Sequence, residues 1–250
     1  MAFNPLFLAR KISSRLAQHG PIDTTRWLWS HIELRARERW LNIETESHVE
    51  AAKLDLGENC NHYEPISYTT FDTILDRLDI SPARDCFLDI GCGKGRAVIM
   101  AATKPFKQVI GVELSEDLCK IAEENIKRAK PKLQCQAVEI VCTDATTYQI
   151  PENVNVIFLW NPFYGPVLDT VLENIRRSLL KAPRELTIFQ GLPHREPDPM
   201  MGLDWLTDRE MINAKFFTGI DIVRYKAEMT RSQSTENTAM KYAKAKQSHH

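Results

Sequence analysis

The chain has 250 residues, of which 43% are apolar, and its 32 Lys and Arg nearly balance 33 Asp and Glu. This length and composition suit one α/β domain with a modest appendage and a full core. The charge balance gives no bulk attraction to a polyanion, so nucleic acid would have to be held by a local basic patch. The six cysteines form no C-x-x-C pair and have no histidine at a zinc-finger offset, so no metal site is expected. They read as free thiols in a reducing, cytoplasmic setting. No apolar run reaches the ~18 residues that span a bilayer.

The first stretch, "MAFNPLFLARKISSRLAQHG", carries Arg10, Lys11 and Arg15 and no acid. Phe7, Leu8, Ile12 and Leu16 share one face at helical spacing. A short helix packed on the domain fits this pattern; a transit peptide or a membrane-surface helix shares it. From Pro21 to about Leu56 a second stretch reads as helix, where Trp27, Trp29 and Trp40 suggest packing rather than a solvated face. "LGENCNHYEP" then breaks the pattern. Residues 1–65 are thus expected to form a helical N-terminal extension.

The spacing of Phe71, Ile74, Leu75 and Leu78 predicts a helix from about Tyr68 to Leu78. Strand and helix then alternate. Strands are expected at Cys86–Ile90, Gln108–Leu114, Ala137–Cys142, Val154–Trp160 and Glu185–Gln190. Helices are expected at Arg96–Thr103, from Ser115 as cap to Ala129, and from Pro166 to about Leu180. "KFFTGIDIVRYKAEM" holds two β-prone halves around Gly219. The alternation predicts a doubly wound, mostly parallel α/β sheet over 66–228, closed by an antiparallel hairpin. Residues 229–250, rich in Ser, Thr, Lys, Gln and Asn, are expected to be a disordered tail.

"FLDIGCGKGRAVIM" places a glycine turn between the first strand and its helix. Backbone N–H groups at such a helix start attract anionic groups. A dinucleotide fingerprint requires a third glycine where Arg96 stands, and a phosphate loop requires Ser or Thr after G-K. Both readings fail on spacing, although a nicotinamide-dependent oxidoreductase remains an alternative from another class. The pattern actually present is D-x-G-x-G-x-G, through Asp89, Gly91, Gly93 and Gly95.

This pattern resembles motif I of the class I S-adenosylmethionine-dependent methyltransferases, whose Rossmann-like sheet has seven strands. The resemblance implies S-adenosylmethionine (SAM) as cofactor. Its methionyl carboxylate would meet the loop, and its ammonium would meet Asp89, directly or through water. Glu113, at the tip of the second strand, would accept the ribose hydroxyls, and Asp144, past the third strand, the adenine amine. Tyr63, and also Tyr68, would close over the cofactor from the amino-terminal side. A catalytically silent SAM-fold module, with the extension as an interaction surface, is the remaining alternative.

The fourth strand ends in "IFLWNPFYGP". Asn161, Pro162, Phe163 and Tyr164 resemble the N-P-P-[YF] motif of amino-methyltransferases, with Phe163 in place of one proline. The resemblance implies that Asn161 and the Pro162 carbonyl accept from a target amine and that an aromatic ring stacks on it. "YEP" and "NPF" together resemble little-characterised bacterial methyltransferases over roughly residues 63–192. The departure from the motif weakens a nucleic-acid substrate, leaving a small-molecule or protein acceptor, with methylation at nitrogen or oxygen. His194, after the fifth strand, is a candidate base. The helical extension is expected to lid or shape the acceptor pocket.

Overall fold

Short apolar runs bounded by turn residues form the strands that the alternation predicts. A computed structural model describes residues 5–46, 59–61, 63–193, 197–212 and 220–228. His194, the tail over 229–250, the side chains of Phe7 and Leu8, and the first half of the expected hairpin lie outside the described residues.

The strands are β1 (Cys86–Ile90), β2 (Gln108–Glu113), β3 (Val138–Cys142), β4 (Val156–Leu159), β5 (Glu185–Pro193), β6 (Leu206–Ile212) and β7 (Ile220–Glu228). They form one seven-stranded sheet in the order β3-β2-β1-β4-β5-β7-β6. The first five in that order run parallel, and β7 lies antiparallel between β5 and β6. The hairpin partner of β7 is therefore "LTDREMI", a charged segment that hydropathy does not mark as a strand. It is an edge strand, and charge on an edge strand discourages pairing with a second chain.

Alternate residues of β1 face opposite layers, as a strand requires. Phe87 packs with Phe71, Val98 and Phe158 on one side, and Leu88 and Ile90 join Ile157, Leu172 and Ile175 on the other. The first layer is covered by α2 (Tyr68–Leu75) and α3 (Arg96–Ala102), the second by α5 (Gly165–Lys181). The remaining long helix, α4 (Glu116–Ala129), starts as expected, with the Ser115 hydroxyl accepting from Leu118 N. Strand order reverses between β1 and β4, so a crevice opens at their carboxyl ends, where ligands bind in sheets of this kind.

The amino-terminal helix α1 runs from Pro5 to Leu41 with a break at Gly20 (φ 76°), followed by Pro21. Lys11 and Arg15 lie over the Trp27 ring at 5.2 and 5.1 Å, so the two halves fold back on each other at that break. The helix stops at Leu41, short of the expected Leu56. Asn42 adopts φ 59°, and Asn42 N and Ile43 N donate to Arg39 O and Glu38 O, which closes the helix end.

Two of the three α1 tryptophans depart from expectation, whereas Trp27 packs against His31. Trp29 is 67% exposed and Trp40 51%, with the Lys132 ammonium over the Trp40 ring. Leu41 and Ile43 instead enter the same apolar cluster as Ile66 and Phe71, so in its packing the end of the extension is continuous with the sheet domain.

Candidate functional site

The crevice between β1 and β4 is an open cleft at the carboxyl ends of the parallel strands. β1 and its turn contribute Asp89, Gly91, Cys92 and Gly93, and β2 contributes Val112, Glu113 and Leu114. Thr143, Asp144 and Ala145 follow β3, while Phe158 and Trp160 through Phe163 come from the end of β4. Cys60, Asn61, Tyr63, Glu64, Pro65 and Ile66 complete the wall. Nearly all the expected site residues therefore meet in one cavity: Tyr63, Asp89, Gly91, Gly93, Glu113, Asp144, Asn161, Pro162 and Phe163.

Gly95 is the exception. It caps α3 in the left-handed conformation, and a Cβ there would lie 3.2 Å from Ala122 Cβ on α4. Its role is helix packing. Tyr68 also falls away from the cavity wall: it is fully buried, with the Arg96 guanidinium 4.9 Å from its ring centre.

The glycines at the cavity are needed for a reason other than ligand approach alone. A Cβ at Gly93 would stand 2.5 Å from Tyr63 Cδ2, and one at Gly91 would overlap the Pro162 ring. Both residues have positive φ, 56° and 82°. The loop is thus pressed between Tyr63 and Pro162, and only glycine fits both the space and the backbone.

The acids have distinct surroundings. Asp89 is 2% exposed, and burial, with Glu113 nearby, holds its carboxyl well above the usual range. An arriving cation would reverse both effects. Glu113 is engaged by backbone: Oε2 accepts from Gly93 N, and Oε1 from Leu114 N and Ser115 N, all at 2.9 Å. It ties the tip of β2 to the glycine loop, a role that spacing alone did not indicate. Asp144 spends Oδ1 on Thr146 N and Oγ1 at 2.8 and 2.7 Å, which leaves Oδ2 for a ligand. Glu64 adds another carboxylate to the wall. Arg96, the one guanidinium at the wall among the described residues, directs its nitrogens to Thr45, Ile66 and Glu38. The cavity suits a ligand carrying positive charge.

At the end of β4, Asn161 takes a left-handed backbone (φ 48°), which asparagine tolerates better than most residues. Its side-chain amide bonds to no other described residue, whereas its carbonyl accepts from Asn61 Nδ2 at 2.9 Å. Asn61 N donates to Pro162 O at 2.9 Å, and Tyr164 N donates to Asn59 O at 3.1 Å. The Pro162 carbonyl therefore already holds one donor. Phe163 is 6% exposed and packs beneath α5, so it forms cavity floor rather than a free stacking face. Tyr164 is half exposed.

No described residue of α1 lines the cavity, and the extension reaches it through Cys60, Asn61, Tyr63, Glu64 and Pro65. Of these, Asn61 was not singled out by sequence. No helix among the described residues is long and apolar enough to cross a membrane.

Residues 87–182 match the family model described as Methyltransferase domain. The fold is shared with the yhhF protein of Escherichia coli (TM-score 0.50, 15% identity, 67% of this chain and 90% of that one). Two further likenesses are an RNA methyltransferase from Salinibacter ruber and a geranyl diphosphate C-methyltransferase from Streptomyces coelicolor. The first has TM-score 0.47 and 21% identity over 67% of this chain and 95% of the other. The second has TM-score 0.49 and 14% identity, over 66% and 78%.

Proposed function

We propose an amine acceptor, on a small molecule or a protein, for this chain, which carries a class I S-adenosylmethionine-dependent methyltransferase domain. The methyl donor is S-adenosylmethionine, and when bound it supplies a methyl on a positively charged sulfur that leaves by in-line displacement. The cavity fits it: an ammonium would hold the buried Asp89 as its carboxylate, and the surrounding carboxylates suit a sulfonium cation.

In this reading Asp89 holds the ammonium, and the backbone of Gly91 and Gly93 cradles the methionyl carboxylate. Glu113 turns its remaining lone pairs to the ribose, Asp144 Oδ2 takes the adenine amine, and Tyr63 covers the cofactor. The chain's main contribution to rate is alignment of acceptor and methyl with exclusion of water, worth up to ~7–11 kcal/mol in well-oriented systems.

The observation that supports an amine is Asn161. Asn161 lines the cavity at the strand end beside the glycine loop, and its side-chain amide has no other described partner. Its carbonyl oxygen can accept from an N–H of the acceptor and leave the nitrogen lone pair aimed at the methyl. The second lone pair of Pro162 O can assist, the first being held by Asn61.

Asn161→Gly removes this amide while suiting the left-handed backbone, so fold and SAM affinity should stay within about threefold. Transfer of labelled methyl from SAM to a cell lysate should fall at least about tenfold, because an interaction made in the transition state appears in kcat. Unchanged labelling by Asn161→Gly would remove the support for an amine and leave an oxygen acceptor equally open. Asn161→Ala should lose the same activity and be about 1–2 kcal/mol less stable than Asn161→Gly, because alanine keeps a β-carbon in left-handed backbone.

A further inference from the structure

Between α1 and the cavity lies a set of buried polar contacts that the sequence does not announce. The Arg96 guanidinium, 4% exposed at the start of α3, gathers three groups. Nε donates to Thr45 Oγ1 at 2.6 Å, Nη1 to Ile66 O at 2.9 Å, and Nη2 faces Glu38 Oε1 at 3.5 Å. Glu38 Oε1 in turn accepts from both Thr45 N and Thr45 Oγ1 at 2.7 Å. Thr45, fully buried, offers its carbonyl to the Tyr63 hydroxyl at 2.8 Å. The Tyr63 ring rests directly on Gly93.

A second staple runs alongside. Asn125 of α4, also fully buried, exchanges hydrogen bonds with Glu44 N and O and donates to Lys94 O at 3.1 Å. The segment after α1 is therefore bonded to Arg96, just after the glycine loop, and through Asn125 to Lys94 within it.

We propose that Thr45, set by Arg96 and Glu38, is a positioning residue for the cofactor, acting through Tyr63 to hold the ring over the glycine loop. The end of α1 is then a working part of the SAM site. The inference rests on the reading that Tyr63 covers SAM. Each link follows from donor–acceptor chemistry. The Thr45 hydroxyl can donate to Glu38 and accept from Arg96 at once, so neither partner is left unpaired in a water-free place. Burial pushes the Tyr63 phenol up, so it remains a donor at neutral pH. A tethered aromatic ring loses little conformational freedom when SAM arrives, which raises affinity.

The test is calorimetric titration of the full-length chain with SAM. Thr45→Val keeps shape but loses the hydroxyl, and Kd should rise at least about tenfold, whereas Thr45→Ser should retain affinity. Tyr63→Phe should weaken binding similarly, and the Thr45→Val/Tyr63→Phe double variant should be no weaker than the worse single one. A role in general stability would instead lower Tm and multiply the two losses. A folded Thr45→Val chain that binds SAM normally, or multiplicative losses, overturns the proposal. Tyr63→Ala separates the premise: if it binds SAM as the unaltered chain does, the placement of Tyr63 over the cofactor is wrong.

Discussion

Gly93→Ala should abolish useful SAM binding in a chain that still folds. Two costs coincide at this residue. Its φ of 56° is strained for any residue with a Cβ, by about 1–2 kcal/mol. The new methyl would also meet the Tyr63 ring, with Cδ2 2.5 Å away. The ring has little room to yield, because its hydroxyl is fixed on Thr45 O and the Lys94 ammonium stands 5.6 Å from its centre. Either Tyr63 leaves the loop or Gly93 moves and drops its bond to Glu113.

Both outcomes damage the cofactor site, so a loss of roughly 3 kcal/mol, or about a hundredfold in Kd, is expected by calorimetry. Far-UV circular dichroism should be unchanged, since β1 and α3 flank the loop without depending on its Cα–H. Adding Tyr63→Ala to Gly93→Ala should relieve the clash but not the backbone strain, and so recover part of the affinity. Normal binding by Gly93→Ala alone would mean that the ring does not rest on the loop in solution.

The contrast between strands and connections explains how much was legible in advance. β1, β2, β4 and β5 are apolar runs between turn residues, and Asp89, Glu113 and Asp144 stand just where parallel strands end, so local pattern suffices for them. The charged strand β6 has no such pattern and is specified by pairing with β7 (Arg224 with Glu210, for example) rather than by hydropathy.

The start of the cavity wall, Cys60 and Asn61, was likewise hidden, whereas the "YEP" of Tyr63 to Pro65 was marked by resemblance. Its place depends on backbone bonds from Asn59 and Asn61 to a loop about a hundred residues away, and such bonds leave no periodicity in the chain. Arg96 illustrates the same limit. By spacing it counts only as an absent third glycine, yet its guanidinium joins α1, Thr45 and Ile66. Trp29 and Trp40 show the opposite error, because aromatic content was read as burial. Near a helix surface a large ring can be shared between neighbouring cations and solvent, as Trp40 is with Lys132.

Asp89 carries the other large effect. It lies between Gly111 and Phe158 on the neighbouring strands, with no water-exposed surface to support a charge and with Glu113 adding repulsion. Its pKa in the folded chain is therefore raised far above that in the unfolded chain. Between those two values the folded state binds the extra proton, so the stability of the ligand-free protein falls as pH rises through that window. An ammonium placed against Asp89 favours the carboxylate and expels the proton. SAM affinity should accordingly increase with pH, by up to about tenfold per unit while free Asp89 stays protonated. Calorimetry between pH 5 and 7, where the SAM amino group is itself charged, in buffers of different ionisation enthalpy, should show proton release on binding. Asp89→Asn should bind far more weakly and release no proton, with an affinity that no longer depends on pH in this range. Proton uptake by the unaltered chain, or the same release by Asp89→Asn, would place the ammonium elsewhere and leave Glu64 or Glu113 as its partner.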